Sequence, residues 1–218
     1  MSFLTQRVGL ARFEADEYYA QALQHYQKGK LQEALDNIGF AITLVPQNSE
    51  YHAAQGVFYL EDGLADQARE SFQRALGLHN AEAAANYGMG VLAFNDKHWD
   101  EAKTYFNRVL LVEPDRVEIP YYMALIYHRQ QDNRTAKTHM ERALQQMEAA
   151  GDKRRTSARR WIREFDKLIT QLERAEDEET MPPQQLSFYE REQIAAAENA
   201  GELEAGAEDS DDETEAED

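Results

Sequence analysis

Apolar residues along the chain recur at helical spacing for about thirteen positions, stop at a short break rich in glycine or polar residues, and then resume for a similar length. The alternation repeats in register over residues 15–48, 49–82, 83–116 and 117–150, and each unit therefore predicts two helices joined by a tight bend. One alanine marks the period, at Ala34, Ala68, Ala102 and Ala136, each 34 residues after the last. A second small residue keeps the same step at Ala22, Gly56, Gly90 and Ala124, and a third set runs Ala41, Ala75, Val109 and Ala143. Self-similarity at a fixed period of this size predicts a repeat architecture, in which no unit buries its own apolar faces and stacking does it instead.

The punctuation has a physical logic. Lys28-Gly29-Lys30 and Asp62-Gly63-Leu64 supply glycine, which ends a helix in the left-handed conformation at no steric cost. The third and fourth breaks, Asp96-Lys97-His98 and Gln131-Asp132-Asn133, lack it, and Asp or Asn is expected to take the bend. Pro46 and Pro114 stop the second helix of their units, while Asn80 and Glu148 stand at the corresponding points of the other two. Small residues at the crossing let two helices approach, and Ile38, Phe72, Phe106 and Met140, with Tyr59 and Tyr127, are the expected filling. Gly88-Met89-Gly90 lies inside a helix and reads as close packing.

These residues resemble the tetratricopeptide repeat. The pattern is clearest as Gly56, Tyr59, Ala68, Phe72 and Ala75 in one unit, and as Gly90, Ala102, Phe106 and Pro114 in the next. Departures are mild: His25 and Ala93 stand where tyrosine is usual, and Met140 replaces an aromatic. The resemblance covers residues 15–150 and implies an all-α fold, a right-handed superhelical α-solenoid of antiparallel helix pairs whose first helices line a concave groove. On that basis the groove residues are Tyr19, Tyr26, Leu60, Tyr87, Val91, Phe94, Tyr121, Leu125 and His128, with Leu23, Ala53 and Val57 on the same stripes. Leu23, Val57 and Leu125 also fit ordinary inter-helix core. An apolar, aromatic stripe with few charges suits an amphipathic helix or apolar peptide. Family members that clamp the acidic tails of heat-shock chaperones do so with Lys, Asn and Arg. The matching positions here are Tyr19, Leu23, Ala54, Ala84 and Gly88, so an acidic ligand is disfavoured.

The flanks divide cleanly. Residues 1–14 read as an N-terminal extension of the first helix. Residues 151–174 read as a capping helix, with Trp161, Phe165, Leu168, Ile169 and Leu172 on one stripe and a basic outer face. Of the net charge of −18, residues 175–218 hold −16, from seventeen acids and one base, which leaves a nearly neutral body. That tail has too little apolar content to fold, apart from a short island at 186–194 that could act as an internal ligand for the groove. It also supports a second reading, a chaperone-like shield for a basic, nucleic-acid-binding protein. Nucleic acid itself is not expected on the basic cap helix, because the tail repels it.

Little else offers chemistry. Without cysteine there is no disulfide or thiolate zinc site. The six histidines are scattered, none at the i, i+4 spacing of a helical metal site, and His25 reads as a satisfied inter-helix histidine. No phosphate loop or nucleophile elbow occurs. The expectation is a non-catalytic adaptor or assembly factor with no metal and no cofactor. The N-terminus lacks the features of a signal peptide and no apolar run is long enough to span a bilayer, so a soluble, cytoplasmic protein is expected.

Overall fold

In the computed structural model of the protein, left-handed backbone falls at Gly29 (φ 70°), Gly63 (φ 77°), Lys97 (φ 63°) and Gln131 (φ 66°). The bend thus keeps the period of the sequence. At each one, the next amide reaches back five residues: Lys30 N–H donates to His25 O at 2.9 Å, Leu64 to Tyr59 at 2.9 Å, His98 to Ala93 at 2.8 Å, and Asp132 to Tyr127 at 3.0 Å. These bonds satisfy carbonyls that a helix end leaves without partners. The expected Asp or Asn in the third and fourth bends is corrected here, because Lys97 and Gln131 take that conformation and Asp96 and Asp132 stand beside it. Repeat register fixes the position, and a side chain there costs about 1 kcal/mol that glycine avoids.

The structure describes residues 3–180, with side chains for residues 9–176. The acidic tail from residue 181, with its island at 186–194, lies outside them. The described residues form helices α1 (Phe3–Gln27), α2 (Leu31–Leu44), α3 (Ser49–Glu61), α4 (Ala65–Leu78), α5 (Ala83–Asn95), α6 (Trp99–Val112), α7 (Glu118–Arg129), α8 (Asn133–Ala149) and α9 (Arg155–Thr180), with no strand among them. The chain divides into two compact units, Met1–Asp166 and Lys167–Asp218, and α9 runs across the boundary.

Within the first unit, α1 packs on α2, α3 on α4, α5 on α6 and α7 on α8, and each pair also meets the next. This is an all-α repeat solenoid. Ala22, Ala34, Ala68, Ala102, Ala124 and Ala136 are fully buried at the crossings, and Ile38, Phe72, Phe106 and Met140 are fully buried between them. The glycines are sterically required: a Cβ at Gly56 would lie 2.5 Å from Phe72 Cδ1, one at Gly88 would lie 2.1 Å from Phe72 Cζ, and one at Gly90 would lie 2.6 Å from Phe106 Cε1. One ring, Phe72, therefore fills the space left by glycines on two successive first helices.

Helix ends follow local chemistry. Asn48 caps α3 by accepting from the Glu50 amide at 2.9 Å, and Asp132 caps α8 by accepting from that of Thr135 at 2.9 Å. Pro46 and Pro114 lie two residues beyond the ends of α2 and α6. Glu148 does not interrupt α8, which continues to Ala149 and ends at Gly151 (φ 66°).

Candidate partner-binding stripe

The nine stripe residues come from the first helix of each pair. Tyr19 and Tyr26 lie on α1, Leu60 on α3, Tyr87, Val91 and Phe94 on α5, and Tyr121, Leu125 and His128 on α7. All nine are half-buried, as are Leu23 and Val57, whereas Ala53 is 1% exposed and belongs to the core. A half-buried aromatic is held by the fold on one side and open on the other, and the ring contacts show what holds each one. Tyr19 packs on Tyr51 (centroids 5.1 Å) and Tyr26 stacks on Phe58 (4.9 Å). Tyr87, Phe94, Phe106 and Tyr122 form one cluster, with Phe106 and Tyr122 stacked at 5.1 Å and Phe94 edge-on to both Tyr122 and Trp99.

His128 differs from the rest. Its ring lies 5.5 Å from Trp161 and 5.3 Å from Phe165 on α9, and its Nδ1 is 2.7 Å from Asn133 Oδ1. The first turns of α9 thus cover the end of the stripe. Phe165 is fully buried and Trp161 half-buried, and their ring contacts run to α7 as well as to each other (5.6 Å). Toward α8 the same helix makes ion pairs, Lys137 with Asp166 at 2.6 Å and Arg159 with Glu148 at 2.5 Å. Leu168 lies on the part of α9 in the second unit.

Charge at the stripe is richer than its apolar pattern indicated. The Tyr19 hydroxyl donates to Glu50 Oε1 at 2.9 Å, and the Tyr51 hydroxyl makes a short hydrogen bond to Asp16. Burial, then the bonded carboxylate, raises both phenols, Tyr51 to about 12 and Tyr19 further. Glu82 also acts on Tyr19 and accepts from Ser49 Oγ at 3.1 Å. The Arg116 guanidinium lies over the Tyr87 ring at 4.1 Å while pairing with Glu113 at 2.8 Å and Glu118 at 3.7 Å. Asp16, Glu50 and Glu118 do carry a sequence signal, since they occupy the second position of their units, which the search for apolar periodicity passes over. His25 corrects another expectation: its Nδ1 is buried without a hydrogen-bond partner, where a satisfied histidine was expected. Two surface clefts, about 920 and 790 Å³, are lined chiefly by polar residues of α3 and α4 and by residues around Pro46, and none of the nine stripe residues lines either. No group of three or more acidic or histidine side chains among the described residues could hold a metal ion, and none of the described helices is long and apolar enough to cross a membrane.

A stack of short helix pairs with fully buried alanines at every crossing defines an α-helical repeat protein. Tetratricopeptide-repeat models match residues 19–86 and 59–126, and the chain belongs to the tetratricopeptide-repeat family. No curated protein matches the sequence. Solved structures with a similar fold include the first tetratricopeptide domain of Spaghetti (RPAP3) bound to the HSP90 peptide SRMEEVD, at 21% identity and TM-score 0.53, covering 55% of this chain and 98% of that one. Pseudomonas aeruginosa pilF is similar at 19% identity and TM-score 0.58, covering 74% and 77%. YrrB, described as a tetratricopeptide protein with an unusual peptide-binding site, is similar at 21% identity and TM-score 0.51, covering 61% and 68%.

Proposed function

We propose that the protein is a non-catalytic interaction adaptor that holds an apolar or amphipathic peptide segment of a partner protein along its first-helix stripe, with Tyr121, Leu125, Val91 and Leu60 making the principal contacts. The observation that carries this reading is the half-burial of the eight stripe residues before His128, which α9 covers: a row of mostly apolar surface held by the fold on one side and exposed on the other. That two structural neighbours are described as binding peptides supports the general mode. The ligand chemistry differs from that of the RPAP3 domain, whose bound peptide, SRMEEVD, is acidic. Tyr19, Leu23, Ala54, Ala84 and Gly88 offer no cation, and Asp16 and Glu50 add negative charge beside the rings. A ligand whose apolar face is flanked by Lys or Arg satisfies both features.

Selection from a displayed library of 16-residue peptides tests this. The protein is expected to enrich sequences with apolar residues at helical spacing and with Lys or Arg beside them. Tyr121→Glu and Leu125→Glu together should abolish the enrichment while the helical circular-dichroism spectrum persists. Tyr87, Val91 and Phe94 are left intact because they also pack against the core of the third pair. Enrichment that survives the two substitutions, or that favours acidic C-termini, would count against the proposal.

A further inference from the structure

We propose that the larger cleft, about 920 Å³ over α3 and α4, is a second binding site: it holds about five residues of a neutral, polar peptide segment in extended form and reads their main-chain amides. The cleft lies away from the stripe. On α3 it takes His52, Gln55 and Tyr59, whereas the stripe takes Val57 and Leu60. At about 100° per residue the two sets point roughly 140° apart, so one ligand does not fill both.

The floor of the cleft is polar. Two of the three buried polar side chains among the described residues stand in it, His52 at 8% exposure and Ser71 at 6%. Ser71 Oγ donates to Gln55 Oε1 at 3.2 Å, and His52 Nε2 lies 2.9 Å from the Pro46 carbonyl oxygen. A carbonyl only accepts, so in the neutral ring the proton sits on Nε2 and Nδ1 is left as an acceptor. The bond from Ser71 likewise uses only the oxygen of the Gln55 carboxamide and leaves its N–H groups to donate.

The repeat provides its own control. The positions of Gln55 and Ser71 are Met89 and Tyr105 in the third unit, and Met123 and His139 in the fourth. Met89 and Met123 are buried, Tyr105 packs against the core and His139 stacks on Tyr127. In the first unit they are Gln21 and Asn37, and Asn37 donates to the Glu33 carbonyl of its own helix at 2.7 Å. The second pair thus forgoes packing that the later pairs make and buries polar groups in its place, a cost that a ligand's own polar groups offset.

The rim sets the ligand's chemistry. Gln47, Gln67 and Gln73 add three carboxamides, and Glu70 and Arg74, one turn apart, offset each other in charge. A carboxamide both donates and accepts, and so does each residue of a peptide main chain. The α4 side of the cleft runs from Gln67 to Leu78, about 16 Å, which is the span of about five extended residues. An amphipathic helix finds no bed here, since Tyr59 and Leu78 alone among the lining residues are large and apolar.

An array of peptides of about eight residues, rich in Ser, Thr, Asn and Gln and printed beside neutral oligosaccharides, tests this with the full chain. The protein should retain a subset of the peptides, and N-methylating the main chain of a retained peptide should weaken binding at least about tenfold. Gln55→Met with Ser71→Tyr, which gives the second pair the residues of the third, should weaken it by about as much. Gln67→Ala with Gln73→Ala, both exposed and outside the core, should weaken it at least about fivefold with the helical circular-dichroism spectrum unchanged. Tyr121→Glu with Leu125→Glu, on the stripe, should leave it as it is. The proposal is overturned if no peptide is retained, if oligosaccharides alone are, if N-methylation has no effect, or if binding survives the Gln67 and Gln73 substitutions.

Discussion

At the scale of single residues, position in the repeat outweighs intrinsic preference. Lys97 and Gln131 adopt a backbone that suits glycine because the bend falls where Gly29 and Gly63 place it in the earlier units. Lys97→Gly and Gln131→Gly should each raise stability by about 1 kcal/mol, read as an upward shift of the urea midpoint. The two effects should add, since the bends are separate. Gly88→Ala runs the other way: its methyl would meet the Phe72 ring, and overpacking of this kind costs about 1–3 kcal/mol. His139 gives a pH signature. It stacks on Tyr127 at 5.2 Å, and burial, then Arg142, lowers its pKa below the usual histidine value of 6.5. The unfolded chain therefore binds the proton more readily, and stability present above about pH 6.5 should be lost as the pH falls through the folded value. Melting temperatures between pH 7.5 and 5 should decline, and His139→Gln should flatten part of that decline.

At the scale of elements, the helix pairs were legible because the same small residues return at one interval, and a bend must lie between them. The bend residues themselves were not, since propensity alone favours Asp or Asn over Lys and Gln. The length of α8 follows from Glu148, which leaves the helix free to continue where Pro46 and Pro114 end α2 and α6. The apolar stripe of the candidate site was also legible, but its carboxylates were not, because they interrupt no periodicity and show only when units are aligned. The helix after the last pair was visible as a stripe around Trp161 and Phe165, whereas its contact with His128 joins residues more than thirty apart and no local pattern encodes it. Phe165 is fully buried, so Phe165→Ala should cost about 3–5 kcal/mol, and Trp161→Ala, at a half-buried site, should cost less. Thermal melts of the two variants check the order. Lys137→Ala should change little, because the Asp166 pair it breaks is exposed.

At the scale of the repeat array, the question is whether helix pairs come apart one at a time. Repeat proteins gain stability from neighbour interfaces as much as from each unit. Phe72 belongs to α4 yet stands against Gly56 of α3 and Gly88 of α5, so it is as much a part of the third pair as of the second. Native-state hydrogen exchange should therefore give the slowest amides of α3, α4, α5 and α6 one common opening free energy. In Phe72→Ala that value should split in two, and separate values already present in the parent would contradict the argument. The ring also makes the join directional under load. A rod driven through two adjacent links lets neither slide without the other, so tension along the array would be borne across this junction and released there in a single step.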